Sequence, residues 1–149
     1  MELYVNTLTI TTTFDETDFA QVHAWLASDT VWARGIPMEL QRRAMGHSVN
    51  FFARQQNSMG SKVVGFARVV TDHATFAYLC DVYVPPSFRG QGVSRALMQA
   101  VKSHPVAQVR RIALITRTAA PLYRKFGFEE AGPVPTYMHI ARTDPYVSA

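Results

Sequence analysis

One stretch constrains the fold more than any other: Val84-Pro-Pro-Ser-Phe-Arg-Gly-Gln-Gly-Val-Ser-Arg-Ala-Leu97. An apolar run, Tyr78 to Val84, reads as a strand and stops at Pro85-Pro86. Arg89-Gly90-Gln91-Gly92 then forms a basic turn. Beyond it Val93, Leu97, Val101 and His104 recur at helical spacing until Pro105. Strand, glycine turn and helix in that order point to an α/β architecture. Glycines at 90 and 92 let the backbone approach a bound group, because no Cβ stands in the way. Successive N–H groups in such a turn, at a helix N-terminus, suit phosphate oxygens, and Arg89 and Arg95 flank them with charge.

Two phosphate loops are excluded by missing residues. A P-loop needs a Gly-Lys pair, and the chain has none. A dinucleotide fingerprint needs a third glycine where Arg95 stands, and an acid about twenty residues further on. Arg110 and Arg111 occupy that region instead. What remains is Arg89-x-x-Gly92-x-Ser94, flanked by Gln91 and Val93. A plain glycine turn capping a helix is the other reading of the loop taken alone. The pattern resembles the Gln/Arg-x-x-Gly-x-Gly/Ala signature of the GNAT superfamily, the acyl-CoA-dependent N-acyltransferases. In that family the loop amides bind the coenzyme A pyrophosphate. Ser94 departs from Gly or Ala, yet it is small and its hydroxyl could reach a phosphate.

Charge placement agrees with an anionic ligand. Net charge is +4, and no Asp or Glu occurs from Val82 through Phe128, while Arg89, Arg95, Lys102, Arg110, Arg111, Arg117, Arg124 and Lys125 do. A polyanion would favour such a stretch. Nucleic acid would too, but interleaved aromatics and a helix-turn-helix or RNA-binding signature are missing, so none is expected as a partner. The chain of 149 residues, 48% hydrophobic and 17% charged, suits one globular domain over 1–149. Cys80, the only cysteine, excludes an internal disulfide and a Cys-based zinc cage. The histidines lack metal spacing, so no metal is expected. Neither a membrane span nor a signal peptide is legible, which makes the cytoplasm the expected location.

Leu3 to Thr12 reads as a first strand. Thr13 and Glu16 suggest a capping box for a helix from about Asp15 to Ala27. A loop, Ser28 to Ile36, leads to a short helix from Pro37 to Gly46. Ser48 to Gln55 and Lys62 to Thr71 form a hairpin about Asn57-Ser58-Met59-Gly60, and Thr75 to Val84 follows as a further strand. After the glycine loop and its helix, Arg110 to Thr116 contains a short strand. Thr118 is a plausible N-cap for a helix closed by Gly127, and a final strand is expected near Thr136 to Ala141. The order is β-α-α-β-β-β-α-β-α-β, an α/β fold with a central mixed, mostly antiparallel sheet and helices on both faces.

That order is the GNAT order for nearly the whole chain. Leu122-Tyr123-Arg124-Lys125-Phe126-Gly127-Phe128 also resembles the Tyr-x-x-x-Gly-Phe element on the last helix of many GNAT enzymes. Ile36-Pro37, Gly65 to Arg68 and Tyr78 to Val82 have the look of a bacterial branch with poorly defined substrates. The resemblance implies direct transfer of acetyl from acetyl-CoA to a primary amine. Tyr123 matches the tyrosine that protonates the departing thiolate in many members; a core tyrosine is the other reading. Asp81 is the one carboxylate on the strand before the loop, either a general base or a structural acid. Cys80, within an apolar run, reads as inert packing. The resemblance also implies that Val82, Tyr83 and Val84 pair through their backbones with the pantetheine arm, with Phe126 near the coenzyme.

Trp32, Arg34 and Arg68 are the candidate acceptor residues. Trp32 is either an apolar wall or a core plug, and the two arginines hint at a carboxylate-bearing, amino-acid-like acceptor. Protein acetylation on a lysine or an N-terminus, and a non-catalytic acyl-CoA-binding module, are the alternatives. A homodimer is a family habit that nothing in these residues demands.

Overall fold

In the computed structural model, which describes residues 7–146, five strands form one sheet in the order β1-β2-β3-β4-β5. The strands are β1 (Thr7–Thr11), β2 (Ser48–Asn57), β3 (Gly60–Thr71), β4 (Phe76–Tyr83) and β5 (Arg111–Ala113). β1 to β4 pair antiparallel, with short turns joining β2 to β3 and β3 to β4 and with two helices between β1 and β2, and β4–β5 is parallel. The parallel step follows from the crossover helix between those two strands.

Helices α1 (Glu16–Asp29) and α2 (Met38–Gly46) lie on one face, and α3 (Val93–Ser103) lies on the other. α4 (Ala120–Arg124) completes the helices. Alternation along the strands feeds two cores. Phe52, Phe66 and Tyr83 pack with Phe19, Val22 and Leu26 of α1. Phe51, Ala53, Ala67 and Leu79 pack with Val93, Leu97, Met98 and Val101 of α3. Each fully buried large apolar side chain contributes about 1.5–3 kcal/mol of burial energy.

Gly65 sets how closely α3 approaches the sheet. A Cβ there would sit 2.6 Å from Val93 Cγ1 and 3.2 Å from Leu97 Cδ1. The helix that follows the glycine turn therefore rests directly on β3.

Two local expectations are corrected. The capping box of α1 is made by Asp15 and Asp18, not Thr13 and Glu16: Asp18 N donates to Asp15 Oδ1 at 2.9 Å and Asp15 N to Asp18 Oδ2 at 3.0 Å. The Thr13 carbonyl is taken by Arg54, whose guanidinium also holds Asp18 at 2.7 Å. α4 has no side-chain cap, since Ala119 rather than Thr118 precedes it. Gly127, at φ 91°, does close this helix, with Phe128 N bonded to Tyr123 O.

One element of the expected order is absent from the described residues. The segment Thr136 to Ala141 forms no strand, and Val134, Tyr137, Met138 and Ile140 are exposed. Alternating apolar residues need a ladder partner to become a strand. β5 offers only three residues of edge, and Pro133 and Pro135 remove donors just before the segment. Of the first strand, Leu3 to Asn6 lie outside the described residues.

Candidate active site

The site begins where β4 and β5 part. Their pairing runs Phe76↔Arg111, Ala77↔Ile112 and Tyr78↔Ala113, and then ends. From Leu79 to Tyr83 the edge of β4 that faced β5 has no ladder partner among the described residues. Its alternate N–H and C=O groups are open to an extended ligand.

β4 also carries an extra residue here. Phe66 pairs with Tyr83 and Arg68 with Cys80, so three steps on β4 oppose two on β3. Asp81 sits in this bulge at φ 53°, an unusual conformation for a residue other than glycine. The bulge redirects the strand just where the edge opens.

The open edge runs into the glycine turn. Pro86–Phe88 make a single 3-10 turn; Gly90 and Gly92 follow at φ 76° and 83°, and Gly92 is the N-cap of α3. Space beside both glycines is open, so that a Cβ at either would meet nothing within 4 Å. The first N–H groups of α3 have no intrahelical acceptors and point at the turn. Together these surfaces line a cleft of about 290 Å³, with walls from Val84, Phe88, Arg89, Gly90, Gly92, Val93, Ser94, Arg95 and Leu122. An open cradle of N–H donors flanked by two arginines fits a pyrophosphate.

The arginine at 89 is braced from behind. Its Nε donates to Val84 O at 2.8 Å, its guanidinium lies over the Tyr83 ring, and Nη2 is 3.7 Å from Asp29 Oδ2. Tyr83 OH donates to the same Asp29 oxygen. The Val84 carbonyl is thus already engaged. Gln91 does not line the cleft; its Nε2 donates to Ser87 O at 3.0 Å and ties the turn to itself. Phe126 packs against the α3-side core instead of lining the cleft.

Tyr123 follows Leu122 and is 9% exposed, edge-on to Phe128 with ring centroids 6.0 Å apart. Its hydroxyl makes no hydrogen bond among the described residues. Burial pushes its pKa above the ordinary phenol value, so the O–H stays protonated at neutral pH. The Cys80 thiol is pushed up to about 12 by burial, which leaves no thiolate at neutral pH.

On the other side of the bulge a polar network links the loop after α1 with β4, β3, β2 and α2. Trp32 Nε1 donates to Asp81 Oδ1 at 2.9 Å, and Arg68 Nε donates to Asp81 Oδ2 at 2.8 Å. Arg68 Nη1 donates to Ser48 Oγ at 3.0 Å, and Ser48 Oγ to Ala44 O at 2.7 Å. Trp32, Arg68 and Asp81 are therefore brought together, while Arg34 is exposed and makes no ion pair among the described residues. Trp32 is 53% exposed and is no core plug.

Sequence reasoning missed Asp29, Ser48, Phe88, Leu122 and Tyr146. Tyr146 packs against the α1-side core and comes close to Gly35. Only Asp29 left a trace: an acid in the last turn of a helix opposes the macrodipole and needs another reason to be there. Among the described residues no helix is long and apolar enough to cross a membrane.

Comparison with known proteins agrees with this geometry. Residues 47–130, more than half of the chain, match a family model described as an acetyltransferase (GNAT) domain. A crystal structure of a GNAT-family protein from Xanthomonas campestris shares 39% identity and superimposes with a TM-score of 0.82, covering 95% of this chain and 98% of that one. A Gibberella zeae protein named as an acetyltransferase is 32% identical over 70% of this chain and 68% of its own length. The ycf52 N-acetyltransferase of Porphyra purpurea is 32% identical over 62% of this chain, which spans about half of it, 55%.

Proposed function

Since the chain belongs to the GNAT acetyltransferase family and is an acyl-CoA-dependent N-acyltransferase, we propose that it moves an acetyl group from acetyl-CoA directly to a primary amine of a small molecule. The observation that carries this reading is the succession along the chain of an open strand edge and a glycine turn that starts a helix. An unpaired strand edge, Leu79 to Tyr83, is followed, after one 3-10 turn, by the glycine turn and the N–H donors at the start of α3. That sequence of surfaces matches an arm bearing amides followed by a pyrophosphate.

In this reading the N–H groups of Gly90 to Arg95 hold the pyrophosphate, with Arg89 and Arg95 balancing its charge. The backbone of Val82, Tyr83 and the Val84 N–H align the arm along β4. Leu122 and Phe88 close the cleft on its apolar side.

A neutral amine nitrogen attacks the thioester carbonyl; the new N–C bond forms and the C–S bond breaks. The Tyr123 hydroxyl donates its proton to the departing sulfur, and the nitrogen loses one proton to solvent or a base, which restores the balance. Tyr123 suits the task because burial keeps its O–H protonated at neutral pH. Cys80 takes no part, since its thiol stays protonated. Asp81 already accepts from Trp32 and from Arg68, and we assign it the structural role of holding those two side chains. Arg68 is likewise committed to Asp81, which weakens the case for an acceptor carboxylate at that position.

The test has two steps. Saturating acetyl-CoA should raise the melting temperature, and free thiol should appear when a suitable amine is added. A melting curve that acetyl-CoA leaves unmoved would sink the reading. Coenzyme binding without thiol release across a broad amine panel would favour acetylation of a protein, or binding alone.

A further inference from the structure

The acceptor side of the groove carries chemistry that the coenzyme side does not explain. A single exposed aromatic is ordinary on a protein surface. What sets Trp32 apart is that it is fixed. Its N–H is held by Asp81, Asp81 by Arg68 and the bulge, and Arg68 by Ser48 just beyond the end of α2. Loop, strands and helix end thus combine to hold one half-exposed indole in one orientation beside the point where β4 opens.

The charges behind that ring cancel. Asp81 and Arg68 are 9% and 17% exposed and form a direct ion pair. Both carboxylate oxygens are occupied, and only Nη2 of Arg68 is uncommitted among the described residues. A ligand carboxylate arriving here would meet a cation already neutralised, with an anion next to it. An ammonium meets a better surface, because an indole face attracts cations. Tyr78 and Cys80, which extend the same face of β4, are both neutral at neutral pH.

We propose that Trp32 determines acceptor specificity, and that the acceptor is an arylalkylamine: an amine on a flat apolar body without a carboxylate, stacked on the indole. This rests on the acetyl-transfer reading and narrows it. Direct stacking accounts for the flat body, cation–π attraction for the amine as it arrives, and the neutralised ion pair for the missing carboxylate. Arg34, on the same loop and exposed, is the group that could support the opposite preference.

Matched pairs that differ only by the carboxylate provide the test: phenethylamine against phenylalanine, and tryptamine against tryptophan, with n-butylamine as the non-aromatic control. Thiol release at saturating acetyl-CoA should give each amine at least about a tenfold higher kcat/KM than its amino acid. Trp32→Ala should raise KM for the aromatic amines about tenfold while leaving KM for acetyl-CoA unchanged. Trp32→Phe, which keeps a ring, should recover part of the loss. Phenethylamine should also quench the fluorescence that Trp32→Phe removes.

Preference for the amino acids, especially if lost in Arg34→Ala, would overturn the inference and leave acetyl transfer standing. So would an equal effect of Trp32→Ala on n-butylamine and phenethylamine. Thiol release with none of the amines would remove the small-amine reading and this inference with it.

Discussion

The two ends of the groove are built from different material. The end proposed for the coenzyme is a cleft lined by one contiguous stretch, Val84 to Arg95, and by Leu122 from outside it. Its working parts are main-chain N–H groups and two glycines at positive φ. The end proposed for the acceptor is a side-chain network of Trp32, Ser48, Arg68 and Asp81, which lie on the loop after α1 and on β2, β3 and β4. A main-chain site is fixed by turn chemistry, so few residues control it. A side-chain site is fixed by tertiary packing, so its parts should fail together when one is removed.

The largest expected effect belongs to the proposed general acid. Tyr123→Phe should lower kcat by about 10²-fold or more, the usual scale for a lost general acid. KM for acetyl-CoA and the melting temperature should barely move, because the ring and its contact with Phe128 persist. The pH profile sharpens the test. An acid works while protonated, so activity is retained below its pKa and lost as pH rises through it. Burial raises Tyr123 above the usual phenol value, and the alkaline limb due to this group should therefore lie above about pH 10. An unchanged kcat in the variant would show that the sulfur takes its proton elsewhere.

Next come two substitutions that should each injure one end. Asp81→Asn leaves an acceptor for Trp32 but strips Arg68 of its counter-charge. Losing one partner of a largely buried pair should cost about 3 kcal/mol in chemical denaturation. KM for the amine should rise, and the thermal shift produced by acetyl-CoA should survive. Gly65→Ala acts from below the other end. Its Cβ would press on Val93, the first residue of α3, and cost about 1–3 kcal/mol. Displacing the start of α3 moves the N–H donors, so KM for acetyl-CoA should rise several-fold while amine preference is kept. If either variant changed both KM values equally, the division between the two ends would fail.

The same division explains what the sequence could reveal. The turn at Gly90 and Gly92 before α3 is legible because a glycine turn is a local object, spelled by residues that permit one backbone path. Tyr123 and Gly127 are legible for the same reason, as part of one helix ending. The ion pair of Arg68 with Asp81 is not, since it depends on a bulge that no local residue announces; Asp81 takes a positive φ without being glycine. Nor is Gly65, whose small size matters only because α3 crosses it. The strand expected at Thr136 to Ala141 shows the converse. Its local pattern suits a strand, but among the described residues no sheet edge is placed to receive it.

The smallest expected effect concerns Asp29, which stands between the Trp32 loop and the glycine turn. Asp29 closes α1, immediately before the loop that carries Trp32, and it touches both Tyr83 and Arg89. The Arg89–Asp29 pair is about half exposed on each side and spans 3.7 Å, so it should be worth no more than about 1 kcal/mol. Asp29→Asn keeps an oxygen for the Tyr83 hydroxyl and removes a charge that the helix dipole disfavours, so stability should hold or rise slightly. The remaining consequence is electrostatic. Asp29 competes with any bound pyrophosphate for Arg89, and its neutralisation should lower KM for acetyl-CoA about two- to fivefold, more at low salt than at high. A rise in KM would carry the opposite meaning: that Asp29 holds Arg89 in place for the coenzyme, and that the acceptor loop and the phosphate cradle are coupled through it.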